Sequence, residues 1–136
     1  MTEKTYLLEI VTPRKVVFNA DVESFSAPGV MGGFQVLYNH APMLAAIGVG
    51  EVKLRDAEGQ EKLFATGGGF VDVLKNHVVV LAESIELPQE IDTARAETAR
   101  QRATKRLAER EEGLDVERAR AALFRAINRL KVARID

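Results

Sequence analysis

The 136 residues carry 19 Lys and Arg against 20 Asp and Glu, a formal net charge of −1, with 46% hydrophobic residues and neither Cys nor Trp. This is the composition of an ordinary globular chain, and it excludes a disulfide framework, a cysteine-ligated metal centre and a cysteine nucleophile. No apolar run approaches the roughly 20 residues that span a bilayer, and Met1-Thr2-Glu3-Lys4 opens neither a signal segment nor an Arg/Ser-rich transit segment, so the expected setting is cytosolic or peripheral.

The near-neutral total hides a division at Pro88. Residues 1–88 hold 7 Lys/Arg and 11 Asp/Glu, residues 89–136 hold 12 and 9, and all four prolines and nine of the ten glycines fall in the first part. Turn punctuation is therefore dense before Pro88 and nearly absent after it. Short β-branched and aromatic runs alternate in polarity at 6–11, 15–18, 22–25, 51–54, 62–65, 70–74 and 77–81, and each predicts a strand. Turn signals at Asp56-Ala57-Glu58-Gly59 and Lys75-Asn76-His77 separate some of them, and the close spacing predicts a β-sandwich or flattened barrel.

Beyond Pro88 the composition shifts to Ala, Arg and Glu, which are good helix formers. Asp92 and Asp115 stand where N-caps would start two helices, about 92–111 and 115–134. The short Glu112-Gly113-Leu114 link, with Gly113 free to take a left-handed conformation, predicts an antiparallel hairpin. Ala96, Ala99, Ala103 and Leu107 form one stripe, and Val116, Ala119, Leu123, Ile127 and Leu130 form its counterpart. An alanine stripe buries about one methyl per contact, roughly 0.8 kcal/mol each, so closure is expected to be weak and open to control by ligands or partners. The fold class is α+β in two parts: an antiparallel β-sandwich over 1–88, then a two-helix hairpin over 89–136.

Several familiar chemistries find no support. Gly67-Gly68-Gly69 is followed by a strand pattern rather than Lys-Ser/Thr and a helix, so it reads as a turn or bulge. His40 and His77 lack neighbouring ligands at metal-site spacing. Ser24, Ser26 and Ser84 lie outside any nucleophile elbow, and Glu83 and Glu86 read as solvated carboxylates. No catalytic residue is expected.

The arginines are more informative. Arg95 and Arg102 are seven apart on the first helix, and Arg125 and Arg129 are four apart on the second, so each pair shares a face and a closed hairpin can bring the four together. Guanidinium forks match phosphate geometry, and a polyphosphate would stabilise the closed form. The competing reading is a solvated basic face paired with Glu97, Glu109 or Glu117. Nucleic-acid binding is disfavoured by the near-zero net charge and by a single aromatic, Phe124, after Pro88.

The order of these parts resembles the epsilon subunit of the F-type ATP synthase along essentially the whole chain. The strings that carry the likeness are Thr12-Pro13 after the first strand, Gly33-Phe34-Gln35-Val36-Leu37-Tyr38-Asn39-His40-Ala41-Pro42, Gly67-Gly68-Gly69-Phe70 and Ile91-Asp92-Thr93-Ala94-Arg95-Ala96. The resemblance implies a non-catalytic central-stalk subunit that helps couple rotor turning to proton flow. Its partners would be the gamma subunit, the c-ring and the alpha/beta catalytic head, with no nucleic acid and with a membrane met only through the complex. It also implies c-ring contact at Met31, Gly32, Gly33, Phe34 and His40; many relatives carry an acidic residue where Gly33 stands, Gly where Gln35 stands and Pro where Tyr38 stands. The hairpin would move between a compact form that binds ATP and an extended form that blocks ATP hydrolysis. Carried over residue by residue, the ATP set is Glu86, Ile91, Asp92, Arg95, Ala96, Arg102, Arg125 and Arg129. ATP would be a regulatory ligand, no cofactor is required, and any role for Mg²⁺ is left open. The expected location is the cytoplasmic face of a bacterial plasma membrane, or the stromal side of a thylakoid. The alternatives are a stalk subunit whose hairpin binds no ATP, and a free-standing nucleotide- or nucleic-acid-binding module.

Overall fold

The computed structural model describes residues 4–134, which fall into two units, one up to Glu86 and one from Leu87 onward. The first is all-β. Its strands are β1 (Tyr6–Val11), β2 (Val16–Ala27), β3 (Phe34–Val36), β4 (Met43–Ile47), β5 (Gly50–Asp56), β6 (Glu61–Thr66), β7 (Gly69–Leu74), β8 (His77–Ala82) and β9 (Ile85–Glu86). They pair in the order β4-β7-β8-β1-β2-β5-β6-β9, with β3 added on β2.

The sandwich is organised by the 12-residue β2. Its first half runs antiparallel to β1, and its second half pairs with β5 on one side and β3 on the other, with a register shift between Val22 and Ser24 where the strand passes from one layer to the next. The 15–18 and 22–25 segments are thus one strand. Asn19, Ala20 and Asp21 contain no breaker and stay in the ladder opposite Glu9, Leu8 and Leu7.

Alternation fills the interior. Leu8 and Ile10 of β1, Val22 and Phe25 of β2, Val52 of β5, Phe64 of β6, Val71 of β7 and Val80 of β8 are all buried. The β7–β8 hairpin closes through Lys75 and Asn76, both at positive φ (23° and 57°), the two-residue turn whose twist suits the flanking strands. At the β5–β6 turn the Asp56 carboxylate accepts from the Glu58 and Gln60 amides at 3.0 and 2.9 Å. Strands β3, β4 and β9 are additional to those predicted. Two are only two or three residues long, and the run Met43-Leu44-Ala45-Ala46-Ile47 is apolar without alternation, so neither kind carries a period-2 signal.

The second unit begins with a single 3-10 turn, Pro88–Glu90, and continues as α1 (Thr93–Glu109) and α2 (Val116–Ala133). Both predicted caps are present: the Asp92 carboxylate accepts from the Arg95 amide at 3.0 Å, and that of Asp115 from the Arg118 amide at 3.1 Å. Helix α1 ends with Arg110 in the left-handed region (φ 45°), three residues before Gly113, which takes φ 84° within the loop. The seam also differs from the expected stripe. Ala96, Ala103, Ala119, Ala126 and Leu130 are buried, whereas Ile127 is 45% exposed. The buried residues of α1 are therefore both alanine, whereas those of α2 divide between Ala119 and Ala126 and the larger Leu130 and Val132.

Candidate functional site

Two surfaces concentrate chemistry, one in each unit. In the helical unit, a cleft of about 490 Å³ runs along the hairpin near its loop. Its floor includes Ala99, Ala103, Ala119 and Ala122, and Arg102 and Arg106 from α1 and Arg118 and Arg125 from α2 contribute to its lining. The floor is low because alanine methyls do not fill the space that leucines would occupy. Asp115 is the one acidic residue in the lining.

The predicted residues fall in different places. Arg102 and Arg125 line this cleft; Arg95 and Arg129 are not among its lining residues, Arg95 being exposed and Arg129 half-buried. Ile91 and Ala96 are buried, and Asp92 caps α1, so three of the motif residues already have structural work. Glu86 lies on β9 opposite Ala65, in the other unit. Two of the acids expected to pair with that basic face are paired with other arginines. Glu97 accepts from Arg100 Nε at 2.7 Å and Glu117 lies 3.5 Å from Arg120, but among the described residues Arg102, Arg106, Arg118 and Arg125 form no ion pair.

Arg106 and Arg118 were missed by sequence reasoning. Their signal was present, since Arg106 is one turn beyond Arg102 and Arg118 is two turns before Arg125.

The second surface is on the sandwich. The β2–β4 connection holds Met31, Gly32, Gly33, Phe34 and His40, and Met31 is 96% exposed. Its base is well anchored. The Tyr6 hydroxyl donates to the Val36 carbonyl at 2.6 Å, and His40 Nδ1 donates to the Ala41 carbonyl at 2.6 Å. Burial pushes the Tyr6 hydroxyl well above the ordinary tyrosine range, keeping it a neutral donor. Phe34 is half-buried and pairs with Ala27 across the β2–β3 ladder.

The outer face of the β4-β7-β8-β1 layer is apolar in a way its alternation did not announce. Ala46, Phe70, Leu81 and Val11 stand in one row across four strands, and Leu44 is on the same face of β4. Leu44, Phe70 and Leu81 are 74%, 55% and 54% exposed. A solvated outer face would carry polar residues at these positions, so the row marks an interaction surface.

Two family models cover this architecture end to end: the ATP synthase delta/epsilon chain β-sandwich domain matches residues 5–88, and the delta/epsilon chain long α-helix domain matches 89–134. The chain belongs to the ATP synthase delta/epsilon chain family. It is 40% identical over 133 residues to the ATP synthase epsilon chain of Syntrophomonas wolfei, covering 98% of this chain and 97% of that one. It is 46% identical over 126 residues to the ATP synthase epsilon chain of Moorella thermoacetica, covering 93% and 94%. The fold is shared with a chain in the cryo-EM structure of the Euglena gracilis mitochondrial ATP synthase, OSCP/F1/c-ring, at a TM-score of 0.79 and 17% identity over 88% of this chain and 76% of that one.

Proposed function

We propose that the chain is the epsilon subunit in the central stalk of an F-type ATP synthase, a non-catalytic part that couples the rotor to proton flow and restrains ATP hydrolysis. The observation that carries this reading is the apolar row Ala46-Phe70-Leu81-Val11 on the outer face of the sandwich, with Phe70 and Leu81 more than half exposed. Apolar area left in water at roughly 25 cal/mol per Å² is a standing cost unless a partner covers it. The gamma subunit is the proposed partner for that face, and the c-ring for Met31, Gly32, Gly33, Phe34 and His40. No helix of the described residues is long and apolar enough to cross a membrane, so attachment to the cytoplasmic face of a bacterial membrane would run through the complex.

Regulation is assigned to the hairpin. Its compact form would bind ATP through Ile91, Asp92, Arg95, Ala96, Arg102, Arg125 and Arg129, and its extended form would meet the alpha/beta head. The alanine seam supports this mobility, because little apolar area holds α1 against α2.

Co-purification from the reconstituted complex tests the stalk role. Phe70→Asp with Leu81→Asp should abolish retention by the gamma subunit while leaving the circular dichroism of the free chain unchanged. Retention of the double variant at the wild-type level would refute docking through this face. Retardation of DNA or RNA by the free chain at physiological salt would favour a nucleic-acid-binding module instead.

A further inference from the structure

The layer that carries the apolar row holds charge of one sign. Strands β1, β4, β7 and β8 and the first half of β2, residues 16–21, contain no Lys or Arg but three carboxylates, Glu9, Asp21 and Asp72. By contrast, β5 and β6 carry Lys53, Arg55 and Lys62, and Arg55 is paired with Glu61 at 2.6 Å. The cross-strand register puts all three acids on the outer face. Leu44, Asp72, Val79, Glu9 and Asn19 form one row across five strands, directly beside the row of Phe70 and Leu81. Asp21 stands opposite Leu7 in the row beyond. Arg14, Lys15 and Lys75 lie in the turns that end these strands, and Lys4 precedes β1, so the nearest basic residues are held at the margins.

Asp72 and Glu9 differ in their engagements. One oxygen of Glu9 meets His77 Nε2 at 2.9 Å, whereas Asp72 is exposed and its side chain makes no hydrogen bond or ion pair among the described residues. The two acids stand on the strands flanking β8, about 10 Å apart at the backbone, with Val79 between them. A flat cationic group laid over Val79 would meet a carboxylate on either side, next to the apolar surface of Phe70 and Leu81.

From this register we infer that the partner covering the face places a Lys or Arg side chain over Val79, between Asp72 and Glu9, and that these two carboxylates rather than the apolar row select the partner. The inference rests on the docking role proposed above for the same face and names the chemistry it requires of the docked surface. An apolar row does not distinguish one hydrophobic surface from another. Covering Asp72 and Glu9 with neutral surface, however, strips water from two charges and returns nothing. A cation at that point offsets the loss and guides approach from a distance, while a partner without one is rejected. A second copy of this chain is rejected on the same ground, because it would set carboxylates against carboxylates.

Binding of the full chain to an immobilised alpha/beta/gamma complex lacking its epsilon subunit, followed by interferometry from about 50 to about 500 mM NaCl, tests the pair. Wild-type association should slow about tenfold across that range, and Asp72→Asn/Glu9→Gln should bind about tenfold more weakly at the lower salt, with a shallower salt dependence. Asp72→Lys should weaken binding about a hundredfold or more, whereas Glu58→Gln, in the exposed β5–β6 turn, should stay within about twofold of wild type. Circular dichroism of every variant should match the wild type. Unchanged or tighter binding by Asp72→Asn/Glu9→Gln would overturn the inference, as would weaker binding that keeps the wild-type salt dependence. If Phe70→Asp/Leu81→Asp still failed to bind in that case, docking through the apolar row would stand without the acidic pair. Absence of binding by the wild-type chain would defeat the docking role and the inference together. Dimerisation of the free wild-type chain in sedimentation, lost in Phe70→Asp/Leu81→Asp, would assign the face to a second copy and overturn the inference.

Discussion

Asn39 and Asn76 hold each other by two hydrogen bonds across 37 residues of sequence: the Asn39 amide donates to Asn76 Oδ1 at 2.8 Å, and Asn76 Nδ2 donates to Asn39 Oδ1 at 3.1 Å. Both residues sit at positive φ, 64° and 57°, a conformation that asparagine tolerates better than most side chains. The pair fastens the loop before His40 to the β7–β8 turn. Asn76→Gly keeps the backbone conformation and removes the side-chain bonds, so a loss of about 1–2 kcal/mol is expected in urea unfolding. Hydrogen exchange should quicken selectively at 37–41, and unaltered exchange there would show that the loop is held by other means.

Tyr6 fastens the same loop from inside, through its bond to the Val36 carbonyl. Tyr6→Phe leaves that carbonyl without its partner and should cost about 1–3 kcal/mol. A pH dependence follows from burial, which raises the hydroxyl's folded pKa above its ordinary value near 10. The unfolded chain releases this proton first, so the contribution is complete below about pH 10 and is lost as pH rises above it. Tyr6→Phe should flatten that alkaline decline in a series of urea titrations, and an identical slope in both proteins would contradict the assignment.

Period and punctuation made much of this molecule readable beforehand. Leu8 and Ile10 alternate with half-buried neighbours, and Val71 and Val73 with exposed ones, and a period of two needs nothing beyond the chain itself. Asp92 and Asp115 were equally plain, because capping is a local bond to an amide three residues away. The β3 and β9 segments were not legible, since two or three residues cannot express a period. Ile127 was misplaced because a helical stripe of several turns drifts, and Ala126 occupies the seam beside it. The arginines show the same limit. Helical spacing places them on shared faces, but which pair meets across a hairpin depends on the loop, and α1 ends at Arg110 rather than near Gly113.

Asp92 offers a separation of structural and ligand roles. Asp92→Ala removes the cap of α1 and should cost about 1 kcal/mol, comparable with Asp115→Ala on α2. Asp92→Asn keeps an acceptor for the Arg95 amide while removing the charge, so helix stability should be nearly retained. If the carboxylate also contacts nucleotide, calorimetry with ATP will register the Asn variant although thermal unfolding does not. Equal ATP binding by wild type and Asp92→Asn would confine this residue to capping.

The alanine seam makes a further prediction about opening. Buried Ala96, Ala103, Ala119 and Ala126 contribute about one methyl each, whereas the sandwich buries Phe25, Phe64 and a set of valines. Amides in 93–133 should therefore exchange through openings of lower free energy than those of β1 and β8. Ala103→Gly, which also loses helix propensity, should lower helical protection by about a further 1 kcal/mol and leave the β1 amides unchanged. Equal protection of both units in the wild-type chain would count against a readily opened hairpin.

Two glycines at positive φ should respond differently to alanine. At Gly69 (φ 150°) an added Cβ would lie 2.0 Å from the Leu81 carbonyl oxygen and 2.9 Å from Ala82 Cα, so β7 could not keep its register beside β8. At Gly59 (φ 82°) nothing lies within 4 Å, and only the backbone conformation resists. Gly59→Ala should thus cost about 1–2 kcal/mol, and Gly69→Ala at least twice that, because backbone rather than a flexible side chain must move. Thermal unfolding of the two variants measures the difference. The Gly69 variant should also lose the stalk interaction, since Phe70 follows it directly and Leu81 stands opposite, whereas Gly59→Ala should still co-purify with the gamma subunit.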